Sequence, residues 1–326
     1  MRIAVTGSIA TDYLMAFPGK ITEQLVADQL STVSLSFLID SLDVRRGGVA
    51  GNISYGLGGL GLKPVLVGAV GEDFDDYRTW LERHGVDTQS VYVSPERHTA
   101  RFLCTTDAVN NQIASFYSGA MSETSQIDLE PVAARFGGLD LVLIGASDPE
   151  GMHRHTVQCR ENNYPFAADF SQQIVRMSGD EVAELVPGAA YLFTNEYEAS
   201  LLLDKTGWSR EHVLDQVGTW VTTLGPAGVR VESNGSQTVT VPGVPAKQES
   251  DPTGIGDAFR AGFFAGISWG VPVERAAQIG CLMATTALEA VGPQEYSIDS
   301  ATFGRRLADA YGDSARAEVE PFLPTG

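Results

Sequence analysis

Short apolar runs alternate with helix-length amphipathic stretches from the first residues onward. The pattern predicts strands at Arg2 to Ile9, Val65 to Gly71, Leu139 to Ala146, Pro165 to Phe170, Ala190 to Thr194 and Trp220 to Leu224. Helical patterns such as Phe74 to His84 and Glu181 to Leu185 lie between them. This rhythm predicts an α/β fold, with a mostly parallel sheet covered by helices on both faces. Val229 to Val241 differs, because Glu232-Ser233-Asn234-Gly235-Ser236 separates two alternating runs and reads as a hairpin turn.

Two segments interrupt the rhythm. Residues 12–46 contain Phe17-Pro18-Gly19 and the alternating run Val33 to Ile39, and residues 96–121 alternate around Arg101 to Thr105 and Ile113 to Tyr117. Both read as extended strands inserted into the α/β order. They predict a small β-rich lid built from two pieces, within one domain covering 1–326.

Gly56-Leu57-Gly58-Gly59-Leu60-Gly61 is a literal G-x-G-x-x-G. A dinucleotide finger needs a strand before these glycines and a helix opening on them. Here the order is reversed: Val49, Ile53, Leu57 and Leu60 form an apolar stripe on a helix that precedes Gly61, and Val65 begins the next strand. The motif is expected to be a packed helix ending at Gly61. The start of the same stretch is more suggestive, since Gly47-Gly48 allow close backbone approach and Asn52 offers a donor and an acceptor suited to a sugar diol. Taken alone, the three residues fit a glycine-rich loop with an ordinary first-turn Asn better.

Charge narrows the substrates. The 326 residues carry 22 Lys and Arg against 41 Asp and Glu, a net charge of −19, which opposes nucleic acid and anionic membranes. Small molecules are the expected ligands, and anionic ones need a local cradle. The longest apolar runs are too short to span a bilayer, the amino terminus reads as a strand, and three widely spaced cysteines suggest no disulfide framework, so a reducing cytoplasmic setting is expected. His153 and His155, at i and i+2, are expected at the surface.

The cradle is expected at residues 251–264, Asp-Pro-Thr-Gly-Ile-Gly-Asp-Ala-Phe-Arg-Ala-Gly-Phe-Phe. Ala258, Phe259, Gly262, Phe263 and Gly266 fall on helical spacing, so Gly254-Ile255-Gly256 lies where a helix begins and unpaired amides face outward. Such donors oppose the charge that a phosphoryl group spreads over its oxygens during transfer. Asp257 at the lip is placed to accept a hydroxyl proton, although an isolated G-x-G-D is better explained as a turn with Asp257 as the N-cap.

D-P-T-G-x-G-D-A-F-x-A-G-F, preceded by G-G-x-x-x-N, resembles the ribokinase-like (PfkB-type) family of carbohydrate and nucleoside kinases, over nearly the whole chain. The resemblance implies a three-layer α/β/α core with a β-rich lid. It also implies an anion hole at Gly254, Ile255 and Gly256 and a catalytic base at Asp257. Ser8, Asp12, Gly47, Gly48 and Asn52 would hold a ribose. Asn195, Thr223, Gly225, Gly228 and Gly256 would line the ATP site, and Glu198 would organise Mg²⁺ largely through water. A K⁺ ion near the Asp251 loop and a homodimer through the lid strands are further implications. The lid stretches are similar to those of bacterial adenosine kinases in this family. By that likeness Phe102 and Phe116 would stack on a purine, Ser36 would reach the base, and Gln172, Gln173 and Arg176 would lie near substrate or phosphates. The expected activity is therefore ATP-dependent phosphorylation of the adenosine 5′-hydroxyl. A sugar or other nucleoside kinase and a non-catalytic nucleotide-binding regulator are the alternatives.

Overall fold

The computed structural model of the protein describes residues 1–24 and 34–324. Its strands in chain order are β1 (Ile3–Thr6), β2 (Ala10–Phe17), β3 (Ser41–Gly47), β4 (Val65–Val67), β5 (Ala69–Gly71), β6 (Tyr92–Ser94), β7 (Ala100–Asp107), β8 (Gln112–Tyr117), β9 (Leu141–Ile144), β10 (Phe166–Asp169), β11 (Tyr191–Asn195), β12 (Thr219–Thr223), β13 (Val229–Glu232) and β14 (Val239–Val241). Eight of them form one sheet in the order β14-β13-β12-β11-β10-β9-β1-β4. Its pairings are parallel except β12–β13 and β13–β14, the expected hairpin at the edge.

The apolar runs are strands because both faces of this sheet are covered. Along β1, Ile3 and Val5 join one core with Ile53, Leu57, Phe263 and Leu282, while Ala4 points into a second core with Met152, Val182 and Leu202. Leu141 and Leu143 against Val142 and Ile144 repeat the alternation along β9. Helices Val49–Gly59, Ile255–Trp269 and Val273–Leu288 pack on the first face, and helices Pro149–Glu161, Gly179–Leu185 and Glu196–Thr206 on the second. The result is a ribokinase-like three-layer α/β/α core.

The G-x-G-x-x-G run is helix and terminus. Gly61 N–H donates to Gly58 O (2.9 Å) and Leu62 N–H to Leu57 O (3.1 Å), a Schellman closure with Gly61 at φ 83°. A side chain at Gly56 would lie 2.6 Å from Ala261 Cβ, so this glycine sets the distance between two core helices.

Two expectations need correction. The run Val65 to Gly71 is not one strand: β4 joins the main sheet, whereas β5 pairs only with β6. The chain turns at Gly68, where a Cβ would meet Gly7 O and Ile9 Cδ1 at 2.9 Å. Nor is Val33 to Ile39 a strand. Val33 lies outside the described residues, and 34–39 carry no strand pairing. Instead β3 pairs with β2 residue by residue from Ala10–Gly47 to Ala16–Ser41, and Phe37 packs its ring on Phe17 at 4.9 Å. Apolar alternation there serves packing and not a sheet. With β7 and β8, these strands make a separate four-stranded sheet, β3-β2-β7-β8, which is the lid.

Candidate active site

The carboxyl ends of β1, β9, β10, β11 and β12 open into one cleft of about 1660 Å³, roofed by the lid. Ligands in open α/β sheets bind at such ends, because the loops there diverge and leave a crevice. Gly254, Ile255, Gly256 and Asp257 stand in its wall. Gly254 caps helix Ile255–Trp269 in the left-handed region at φ 79°. Among the described residues the amides of Gly254, Gly256 and Asp257 have no backbone partner. A Cβ at Gly254 would lie 2.5 Å from Pro293 Cβ, and one at Gly256 2.8 Å from Arg260 Nη1. Glycine is therefore what keeps the cradle open, and the helix dipole adds to its pull on anions.

Asp257 is enclosed. Its Oδ2 accepts from Asn52 Nδ2 at 2.8 Å, which leaves Oδ1 without a protein donor among the described residues. Burial pushes its pKa up to about 7, although the Arg260 guanidinium and the Asn52 bond pull it down. Arg260 is itself buried and paired with the fully buried Asp169, Nη2 to Oδ1 at 2.7 Å and Nε facing Oδ2. Ser171 Oγ also donates to Asp169, at 2.9 Å. Asp169 and Arg260 escaped the sequence reading. The signals were a carboxylate at the end of a buried strand and a cation one helical turn after Asp257.

Register explains the lid side of the cleft. Asp12 on β2 lies opposite Arg45 on β3 and Phe102 on β7, and Phe102 lies opposite Phe116 on β8. All four share one sheet face, and all four line the cleft together with Ala10 and Leu14. Burial and the nearby Asp251 raise Asp12 to about 6, against the pull of Arg45. Arg45 also donates to the carbonyl of Val291, tying the lid to the loop behind the cradle.

Ser8, Gly48 and Asn52 line the floor. Ser8 Oγ accepts from Val49 N–H at 3.0 Å, so it also starts the helix. Gly48 has φ 87°, and a Cβ there would lie 2.6 Å from Ser8 O. Gln172, Gln173 and Arg176 reach the cleft from the segment after β10, with Gln173 Nε2 bonded to Ser147 O at 2.7 Å. At the other end, Asn195, Glu198, Thr223, Gly225 and Gly228 line the wall. Asn195 and Glu198 form a reciprocal capping box, both bonds 2.8 Å. Only Oε2 of Glu198 is used there, and burial raises this carboxyl above its ordinary range.

Three placements differ from expectation. Ser36 is exposed and lies outside the cleft, in the stretch 34–39 that has no strand pairing ahead of β3. Gly47 does not line the cleft either. Its carbonyl accepts from Tyr77 Oη at 2.9 Å, and a Cβ there would crowd Asp12 Oδ2 at 3.0 Å, so it makes room for that carboxylate. His153 is exposed beside Glu184, but His155 is fully buried. Its Nε2 faces the Ile127 carbonyl at 3.1 Å, an acceptor only, so Nδ1 accepts from Thr6 Oγ1 at 2.8 Å. Burial lowers this histidine to about 4 and keeps it neutral.

The sequence pattern of the pfkB family carbohydrate kinases matches residues 13–301. The chain belongs to that family, and it is a phosphotransferase using ATP. The nucleoside kinase of Methanocaldococcus jannaschii is 26% identical over 295 residues, covering 90% of this chain and 92% of that protein. The adenosine kinase of Saccharomyces cerevisiae is 25% identical over 316 residues, covering 87% and 92%. The nucleoside kinase of Burkholderia thailandensis in complex with inosine has a TM-score of 0.82 at 32% identity, over 95% of this chain and 98% of that one. The same protein in an ADP-inosine complex has a TM-score of 0.80 at 33% identity, over 95% and 96%. No helix among the described residues is long and apolar enough to cross a membrane.

Proposed function

We propose that the chain is an ATP-dependent nucleoside kinase that phosphorylates the 5′-hydroxyl of adenosine. The observation that carries this reading is the pairing of Phe102 and Phe116 across two lid strands, on the face that also presents Asp12 to the cleft. Flat aromatic faces suit a nucleobase, and a free pentose has no such face to offer. The names of the yeast and archaeal relatives, and the inosine in the Burkholderia complex, point the same way.

In this mechanism Asp12, Gly48 and the floor around Ser8 hold the ribose, and Asp257 Oδ1 receives the proton of the 5′-hydroxyl. The hydroxyl oxygen forms a bond to the γ-phosphorus as the bond to the β–γ bridging oxygen breaks and ADP leaves. The amides of Gly254, Gly256 and Asp257 donate to the phosphoryl oxygens as their charge is redistributed, whereas Ile255 N–H, expected to join them, faces the Pro252 carbonyl at 3.5 Å. Glu198 Oε1, which accepts no hydrogen bond among the described residues, is a hard oxygen donor on the cleft wall and fits a Mg²⁺ held mostly by water and phosphate oxygens. Bound there, Mg²⁺ would neutralise charge on the phosphates. The Asp251 loop beside Asp12 remains our candidate position for K⁺.

A panel of nucleosides and sugars with ADP release as readout tests the assignment. Adenosine should give the highest kcat/KM, and a preference for ribose would overturn it. Phe116→Ala should raise the KM for adenosine by about tenfold or more with little change in the KM for ATP. Equal effects on both substrates would make Phe116 structural only.

The lid also suggests a homodimer. Leu42, Val44, Ile113 and Tyr117 are exposed on the face turned away from the cleft, as the register with Asp12 and Phe116 requires. Light scattering should return twice the mass of one chain, and Val44→Asp should return it to the monomer mass.

A further inference from the structure

Four side chains from distant parts of the chain form a hydrogen-bonded series that runs from behind the cleft, at Tyr77 and Gln294, to its lining at Asn52 and Asp257. Tyr77 Oη donates to the carbonyl of Gly47 at 2.9 Å. Gln294 Nε2 donates to Tyr77 Oη at 2.5 Å and to Asn52 Oδ1 at 2.9 Å. Asn52 Nδ2 then donates to Asp257 Oδ2 at 2.8 Å. Tyr77 and Gln294 lie behind the cleft and do not line it, and Gln294 is 1% exposed.

The direction of every bond follows from the first. A backbone carbonyl can only accept, so the single Tyr77 proton points at Gly47. The tyrosine oxygen can then only accept from Gln294, which turns the Gln294 NH₂ toward both Tyr77 and Asn52. Facing that NH₂, Asn52 must present its oxygen, and its own NH₂ is thereby turned toward Asp257. The cost of this arrangement is visible, since Gln294 Oε1 is buried without a partner. Gly51 makes room for the Tyr77 hydroxyl, since a Cβ there would lie 2.2 Å from its Oη.

We infer that Gln294 is a positioning residue for phosphoryl transfer: it fixes the amide orientation of Asn52, so that Asn52 clamps one oxygen of Asp257 and leaves the other free for the acceptor hydroxyl. Without Gln294 the Asn52 amide can turn over when Asp257 is protonated, its oxygen then accepting from the carboxyl O–H. Asp257 then lacks the one side-chain donor it has among the described residues, a contact that favours its ionised form, and its titration moves upward. Arg260, Asp169 and Glu198, the other charged groups acting on Asp257, are untouched by this change.

The inference rests on the reading of Asp257 as the base, and the experiment separates the two. Gln294→Met keeps the volume and removes the donor. With the best nucleoside acceptor, kcat should fall by about tenfold or more, the acid limb of the kcat profile should move to higher pH, and the KM for ATP should stay within about twofold. On an Asn52→Ala background the same substitution should add less than about twofold, because Gln294 acts only through Asn52. Losses that multiply on that background, or an acid limb that stays in place, would overturn the inference. Tyr77→Phe serves if Gln294→Met does not fold: it should shift the acid limb in the same direction, and no shift would count equally against the relay. A carboxyl ¹³C titration of Asp257 in wild type and variant needs no acceptor at all. It still tests the relay if the nucleoside panel shows no turnover, an outcome that would sink the functional reading alone.

Discussion

Asp257→Asn should lower turnover by about a hundredfold or more while adenosine affinity stays within about threefold, because in the proposed mechanism only the proton acceptor is lost. The same substitution should stabilise the ligand-free protein. The carboxyl of Asp257 is raised from its ordinary value of 3.8 to about 7. A raised acid binds its proton more tightly in the folded than in the unfolded state. Folding stability therefore falls as pH rises from about 4 to about 7, and Asn, which mimics the neutral acid, escapes that loss. The gain should approach about 4 kcal/mol above pH 7 and vanish near pH 4, as read by denaturant unfolding at both values. Turnover of the wild type should fall on the acid side of pH 7 with unit slope. Unchanged turnover in the variant would remove Asp257 as the base. An equal stability gap at both pH values would show that ionisation is not its origin.

Arg260→Leu should be the most destabilising single change near the site. It strands the Asp169 carboxylate, which is fully buried and among the described residues has only Ser171 Oγ as a side-chain donor besides Arg260. Breaking a buried pair on one side costs about 3–5 kcal/mol, whereas replacing both partners by apolar side chains is often neutral. The double variant Arg260→Leu/Asp169→Leu should therefore recover most of the loss. A single variant within about 1 kcal/mol of wild type would show that the pair carries no such weight. In the surviving fraction the acid limb should move to higher pH, since the Arg260 charge is the largest influence lowering Asp257.

Much of this site was legible along the chain because its parts are local. The cradle needs glycines at a helix start, and Gly254-Ile255-Gly256-Asp257 announce both the helix and the amides. The wall proposed for ATP is legible for the same reason: Asn195-Glu196-Tyr197-Glu198 is one helical turn, and its capping box is a contact between residues three apart. The misreadings are equally physical. Val33 to Ile39 has the alternation of a strand, but β2 offers its edge to Ser41–Gly47, and alternation cannot say which neighbouring segment wins that edge. His155 sits on a helix whose spacing with His153 puts the two on different faces, and the sequence did not reveal that one face is the core.

Periodicity and motif, both short-range properties, determined the α/β order, the helical nature of the Gly56–Gly61 run, the lid in two pieces and the cradle ahead of Asp257. Tertiary structure alone decided what surrounds Asp257: Asn52 is 205 residues away in sequence, Arg260 is anchored by an aspartate 91 residues before it, and Gln294 meets Asn52 across 242. Hydrogen-bond direction and charge pairing are settled between whichever groups the fold encloses together, and the spacing of residues along the chain carries no information about that.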